Sequence, residues 1–301
     1  MAMSDTWVDL VDPDASTLDA SVPYQLHSSA RDRMLHPTEH GDERRPRLER
    51  HGDYLFGILV VPVLAQTELM FDEIDVIVDH ERFITVRKSA DGDTPFDIDD
   101  LRRASMHERP GTCLYVLLDE IAEQFLTLVD SFDEHIDEME DHVLEWDGVT
   151  IRNRISELRH DILHVRRVLA PTRDLSRSVL DDRVDLDGDP PLFPHEIEIH
   201  FADAYDKLLR ATDGLDLSRD LLAGVRDYHQ SQVAHDQNEV MKRLTVVASL
   251  LLVPTFIVGL YGQNLKGMPE FRWVHGYAWS WAMIILTTVG QLIWFRRKKW
   301  I

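Results

Sequence analysis

NEVMKRLTVVASLLLVPTFIVGLYGQN, residues 238–264, passes from a charged segment into an uncharged apolar run and leaves it on a glycine followed by two side-chain amides. The apolar run Leu244 to Leu260 is 17 residues long, and a second, Tyr277 to Phe295, is 19. At about 1.5 Å of rise per residue each approaches the ~30 Å hydrocarbon core of a bilayer, so the chain is expected to cross a membrane twice. Lys242 and Arg243 precede the first span, and Arg296, Arg297, Lys298 and Lys299 follow the second. Basic residues stay on the cytoplasmic side, which predicts both ends inside and the connecting loop, with Lys266 and Arg272, outside.

Within the first span, positions 238, 241, 245, 248, 252, 255, 259 and 262 keep the alternating three-and-four spacing of one helix face. They read Asn238, Met241, Thr245, Ala248, Leu252, Thr255, Gly259 and Gly262, mostly small or weakly polar, while Val246, Leu250, Val253, Phe256 and Ile257 carry the bulk elsewhere. Small residues on a membrane helix serve either close helix packing or a water-filled path. Asn238 and Asn264, bracketing the span on or near this face, point to the path. Pro254 removes one backbone hydrogen bond inside the span, which predicts a local bend.

Charge divides the chain. Of 301 residues carrying a formal net charge of −22, residues 242–301 hold eight Lys/Arg against Glu270, a net of +7, which leaves −29 on residues 1–241. Such an acidic region argues against nucleic acid as a partner and for cations. Cys113 is the single cysteine, which excludes an intramolecular disulfide and suits a reducing compartment. The start, MAMSDTWVDL, has neither a basic region nor an apolar segment, so no cleaved signal peptide is expected.

The soluble part reads as two regions. Residues 1–110 contain short β-rich runs at Trp7 to Val11, Tyr54 to Leu64, Glu73 to Val78 and Arg82 to Lys88, separated by Gly, Pro and Asp, and predict a small α/β domain. Residues 31–52 are charged and poorly periodic and read as a loop or mobile insert without chemistry. From 111 to 243 the spacing is helical, with Leu117, Ile121, Phe125, Leu128 and Phe132 in one stripe. A second helix is expected from about 149 to 180 and a third from about 195 to 260, roughly 100 Å long. A helix of that length needs neighbours that one subunit does not supply, which predicts an oligomer. The remainder divides into a first transmembrane helix at 244–262, an outer loop at 263–276, a second transmembrane helix at 277–296 and a basic cytoplasmic tail at 297–301.

Together with MPEFRW (268–273) and the closing RRKKW (296–300), the stretch 238–264 resembles the C-terminus of the CorA family of magnesium channels. The likeness is close from about Phe201 to Ile301, and upstream only the order of elements agrees. It implies an α/β cytoplasmic domain followed by very long α-helices and a two-helix transmembrane hairpin, assembled as a funnel-shaped homopentamer in the plasma (inner) membrane. It implies a passive, Mg²⁺-gated channel for Mg²⁺, with Co²⁺ and Ni²⁺ as further ions. Carried over residue by residue, Gly262, Gln263 and Asn264 form the selectivity ring, and Asn238, Met241, Leu244, Thr245, Ala248, Leu252, Thr255 and Gly259 line the pore. Asp227 lies toward its cytoplasmic mouth, and Glu270 belongs to the outer loop. Asp203, in FADAYD (201–206), falls where the family has a carboxylate of a regulatory divalent site between subunits, with Asp91 or Asp93 of a neighbour as its partner. Gln263 stands where the family usually has Met, and some relatives that differ there carry zinc.

Other candidates carry less. Glu138 and His142 in EHIDEMEDHVLEW have an i, i+4 spacing that can hold a metal, but in so acidic a helix they read as a solvated face. DLDGD (185–189) lacks the Gly and closing Glu of a calcium loop. His36, His40 and His51 lie in the irregular stretch. No phosphate-binding glycine loop, nucleophile elbow or HExxH occurs, so neither ATP use nor enzymatic chemistry nor an organic cofactor is expected.

Overall fold

The computed structural model describes residues 5–36, 45–65, 68–89, 94–263, 268 and 272–301. The chain divides into two compact units, Met1–Arg226 and Asp227–Ile301.

The first unit opens on a five-stranded sheet of β1 (Trp7–Val11), β2 (Arg47–His51), β3 (Tyr54–Ala65), β4 (Glu68–Val78) and β5 (Phe83–Arg87), in the order β1-β5-β4-β3-β2. All neighbours are antiparallel except β1, which runs parallel to β5. β5 is buried at every position, and β3 is buried from Tyr54 to Pro62. Such strands read as continuous apolar runs because both faces of the sheet are covered. Three short helices, α1 (Ala15–Ser21), α2 (Ser28–Leu35) and α3 (Asp99–Ser105), accompany the sheet. Leu18, Ala30 and Met34 from the first two join its core.

Residues 31–52 are not the loop that their charge suggests. They hold the end of α2 and the whole of β2, while residues 37–44 lie outside the described residues. β2 reads RLERH because it is an edge strand whose one inward side chain, Leu48, is buried while Glu49 and Arg50 face water. The turn to β3 has two residues, with Gly52 at φ +69°, a conformation glycine adopts without strain.

β4 carries an unusual buried group. Lys88 Nζ lies 2.6 Å from Asp75 Oδ2 and 3.1 Å from Glu73 Oε1, and it donates to Arg33 O at 2.9 Å. One cation therefore serves two carboxylates. Burial raises the Asp75 pKa, Lys88 opposes and Glu73 adds to the rise, with a result of about 7.

Three long helices complete the first unit: α4 (Pro110–His142), α5 (Gly148–Leu180) and the first part of α6 (His195–Gly262). Pro110 starts α4, where its missing N–H costs nothing, and Asp147 caps α5 by accepting from the N–H groups of Val149 and Thr150. α6 buries Ile197, Phe201, Ala204, Leu208, Ala211, Leu215, Ser218, Leu222 and Val225, a strict four-three alternation. That seam packs against a bundle. Ser218 Oγ donates to Asp133 Oδ1 of α4 at 2.7 Å, and Gly214 sits against Val129.

The second unit contains the rest of α6 and α7 (Gly276–Arg297), which among the described residues are the two helices long and apolar enough to cross a membrane. Val246 and Ile257 on α6 and Phe295 on α7 are its buried apolar residues. Aromatic rings gather at both ends of α7, with Tyr277 against Trp281 at the start and Trp294, Phe295 and Trp300 in mutual contact at the close.

Candidate functional site

Beyond the buried seam α6 changes character. From Gln230 to Thr245 every residue except the half-buried Gln232 is exposed, Val233 at 40% included, and burial resumes at Val246. Val246, Ser249, Leu250, Val253 and Ile257 then form the covered face. Ser249 is held from α7 by Gln291, whose Nε2 donates to Ser249 Oγ at 3.2 Å.

The sequence stripe falls elsewhere on the helix. Asn238, Met241, Leu244, Thr245, Ala248, Leu252, Thr255, Gly259 and Gly262 are all exposed. At 100° per residue, the centre of this stripe is on the order of 130° from that of the covered face. No heavy atom approaches within 4 Å of where a side chain would begin at Gly259 or Gly262. The two threonines turn their protons inward: Thr245 Oγ1 donates to Met241 O at 2.7 Å and Thr255 Oγ1 to Leu251 O at 2.6 Å. Their oxygen lone pairs remain as acceptors. Asn238 Nδ2 likewise donates to Ala234 O. Pro254 lies inside the helix and leaves the carbonyl of Leu250 without its usual donor.

Gly262 ends α6, and Gln263 follows in a tight turn, its N–H 3.4 Å from Leu260 O. Asn264 and Glu270 lie outside the described residues, as do Asp91 and Asp93. Asp227 is exposed at the start of the second unit.

Asp203 stands on the exposed side of α6 at a pocket of about 540 Å³ lined also by Tyr115, Asp119, Asp206, Lys207, Leu209 and Arg210. Lys207, one turn on, is the natural partner for Asp203 but is drawn to α4, where its Nζ lies 2.8 Å from Asp119 Oδ1 and 2.6 Å from Glu123 Oε1. Burial pulls the Lys207 pKa down, and the hydrogen bonds to those carboxylates carry it above the ordinary lysine value. The phenol of Tyr115 is pushed up by burial and by Asp119. Lys207 and its two α4 carboxylates escaped the sequence reading, although the i, i+4 relation in DAYDK signals that Asp203 has a potential cation beside it. Among the described residues no three His, Cys, Asp or Glu side chains converge as a metal site.

The sites discounted in the sequence are otherwise engaged. Glu138 pairs with Arg154 at 2.9 Å, His142 stacks on Trp146, and Asp187 pairs with Arg50 at 2.5 Å.

The profile of the family described as CorA-like Mg²⁺ transporter protein matches residues 4–297. The protein belongs to that family. Among similar proteins, the cobalt/magnesium transport protein CorA of Thermotoga maritima is 32% identical over 194 residues, which cover 64% of this chain and 54% of that one. The match thus spans about half of that relative's length. The zinc transport protein ZntB of Yersinia enterocolitica is 24% identical over 204 residues, 68% of this chain and 60% of that one. The complete structure of the CorA magnesium transporter from Methanocaldococcus jannaschii superposes with a TM-score of 0.80 at 22% identity, covering 98% of this chain and 91% of that one. The α/β domain, long helices and C-terminal hairpin of this CorA-family protein are therefore the fold of a full-length CorA.

Proposed function

We propose that this CorA-family protein is a passive channel for divalent cations, Mg²⁺ foremost and Co²⁺ and Ni²⁺ besides, that selects the ion with its water shell in place. The observation that carries the reading is the exposed face of α6, small and weakly polar, turned away from α7, with the Thr245 and Thr255 hydroxyl protons committed to their own helix. Such a face offers acceptors to the waters of a cation and no carboxylate to strip them. Mg²⁺ sheds its waters reluctantly, so a path that keeps them releases the ion faster than one that replaces them. In a homopentamer five copies of this face line the pore. Gly262 lets the backbones approach, and five Asn264 amide oxygens accept hydrogen bonds from the bound waters. Glu270 adds an anionic outer ring that gathers cations. Both termini face the cytoplasm.

Regulation belongs to the same reading. Asp203 is an exposed carboxylate whose neighbouring lysine is occupied elsewhere, a hard oxygen donor suited to Mg²⁺. Asp203 and Asp91 or Asp93 of the adjacent subunit would hold an intracellular Mg²⁺ that screens carboxylate repulsion and keeps the pore closed, and its departure lets the subunits part. Channels with Asp203→Ala or Asp203→Lys are expected to lose inhibition by internal Mg²⁺. An unchanged response refutes the regulatory part alone.

The deciding experiment is Mg²⁺ flux through purified protein in liposomes, with Asn264→Ala beside the unaltered chain. Flux that is blocked by cobalt hexaammine and impaired by the substitution supports the reading. Absence of flux would show the protein to be a membrane-anchored sensor. Gln263 in place of Met, with the likeness to a zinc transport protein, supports a second reading in which zinc or cobalt is the principal cargo. Competing uptake of Zn²⁺ and Mg²⁺ separates the two.

A further inference from the structure

Helix α5 carries a pair of metal-ligating side chains that transport does not use. In RHDILHV (159–165), His160 and His164 are spaced i, i+4, and their ring centroids lie 4.1 Å apart with the planes tilted by 46°. Leu158, Ile162 and Val165 turn into the core, so at 100° per residue both imidazoles lie on the far side of the helix. His160 is exposed and His164 half-buried, which leaves solvent access to the pair on a rigid element. Asp161 is half-buried between them in sequence.

We propose that His160 and His164 chelate a first-row transition ion of the Co²⁺, Ni²⁺ or Zn²⁺ type, at a site separate from Asp203 and from the α6 face. Two imidazoles one helical turn apart reach a common ion from the same side, the arrangement that gives HExxH helices two of their ligands. Imidazole nitrogen suits these ions, whereas Mg²⁺ demands oxygen and holds its waters. Since no third ligand is already in place among the described residues, water completes the coordination sphere and the neighbouring Asp161 carboxylate favours the added charge. The site thus distinguishes the minor cargoes of such a channel from the major one by ligand chemistry alone. It also lies on a helix tied to α6 through Arg166 and Asp216, 3.1 Å apart.

The test is Co²⁺ binding to the detergent-purified full chain in excess Mg²⁺, followed by equilibrium dialysis and by the visible absorption bands of nitrogen-ligated Co²⁺. A Co²⁺ population that Mg²⁺ does not displace is expected. Its affinity should fall in both His160→Ala and His164→Gln by at least the roughly tenfold that loss of even an outer-shell partner costs, while His36→Ala, at an exposed histidine outside every proposed cation site, leaves it unchanged. The proposal is overturned if Mg²⁺ displaces all bound Co²⁺, or if either histidine substitution leaves the affinity as it was. Binding is read without flux, so failure of the transport reading does not decide it.

Discussion

Gln291 of α7 reaches Ser249 of α6, its Nε2 3.2 Å from Ser249 Oγ and 3.4 Å from Ser249 O, and makes a polar tie on the covered side of α6. A tie on the covered side fixes which side of α6 stays open. Interhelical hydrogen bonds in membranes contribute about 0.6–2 kcal/mol. Gln291→Leu and Ser249→Ala are each expected to lower stability in detergent by about that amount, and the double variant by little more than either, since both remove the same bond. Thermal or denaturant unfolding of all three proteins measures this, and strict additivity contradicts it.

The open face makes a prediction about bulk. A Cβ at position 259 has open space beyond its own helical turn, and Gly259→Leu replaces a residue that weakens helices by roughly 0.5–1 kcal/mol relative to Ala. The variant is expected to fold and assemble yet to conduct near background. Val258→Leu, one residue away and 60% exposed on another side of the helix, should conduct normally. Liposome flux on both variants separates a pore face from a packing face.

The Glu73–Asp75–Lys88 group sets a pH dependence. The folded Asp75 pKa, raised to about 7 by burial against the pull of Lys88 and with the push of Glu73, lies above the ordinary unfolded value of ~3.9. Between these values the folded state holds the extra proton, so this group's contribution is fully present below about pH 4 and is lost as pH rises toward 7. Asp75→Asn should remove that slope from melting temperatures measured between these limits. Lys88→Met removes the cation that the two carboxylates share and should cost about 3–5 kcal/mol at neutral pH.

Gly111 is required by its surroundings. In the first turn of α4 a methyl group at this position would overlap the carbonyl of Leu192, in the segment leading to α6. Backbone cannot swing aside as a side chain can, so Gly111→Ala is expected to destabilise by about 1–3 kcal/mol. Denaturant unfolding checks the cost, and a gain in stability from the better helix former would contradict it.

Helical periodicity made the long helices legible. The expected second helix, about 149 to 180, is α5 at Gly148–Leu180, and the third, about 195 to 260, is α6 at His195–Gly262. Each repeats one buried stripe over many turns, so the 3.6-residue signal accumulates. β2 was hidden because an edge strand buries only Leu48 of five residues, and α1 to α3 because seven or eight residues give a stripe of one or two. The α6 stripe is likewise a repeat, and its members from Asn238 to Gly262 are all exposed. No sequence signal shows that Lys207 leaves Asp203 for Asp119 and Glu123, because partners 84 to 88 residues away are chosen by packing. The pair His160 and His164 was visible as His-x₃-His but has no surrounding motif to single it out.

The ring clusters at the two ends of α7 bear on which lipids suit the protein. From Tyr277 to Trp294 is 17 residues of rise, on the order of 25 Å. Indole and phenol groups settle at headgroup depth, and a typical hydrocarbon slab is ~30 Å. The helix is thus a short ruler, and the mismatch is one that short-chain lipids relieve and long-chain lipids enlarge.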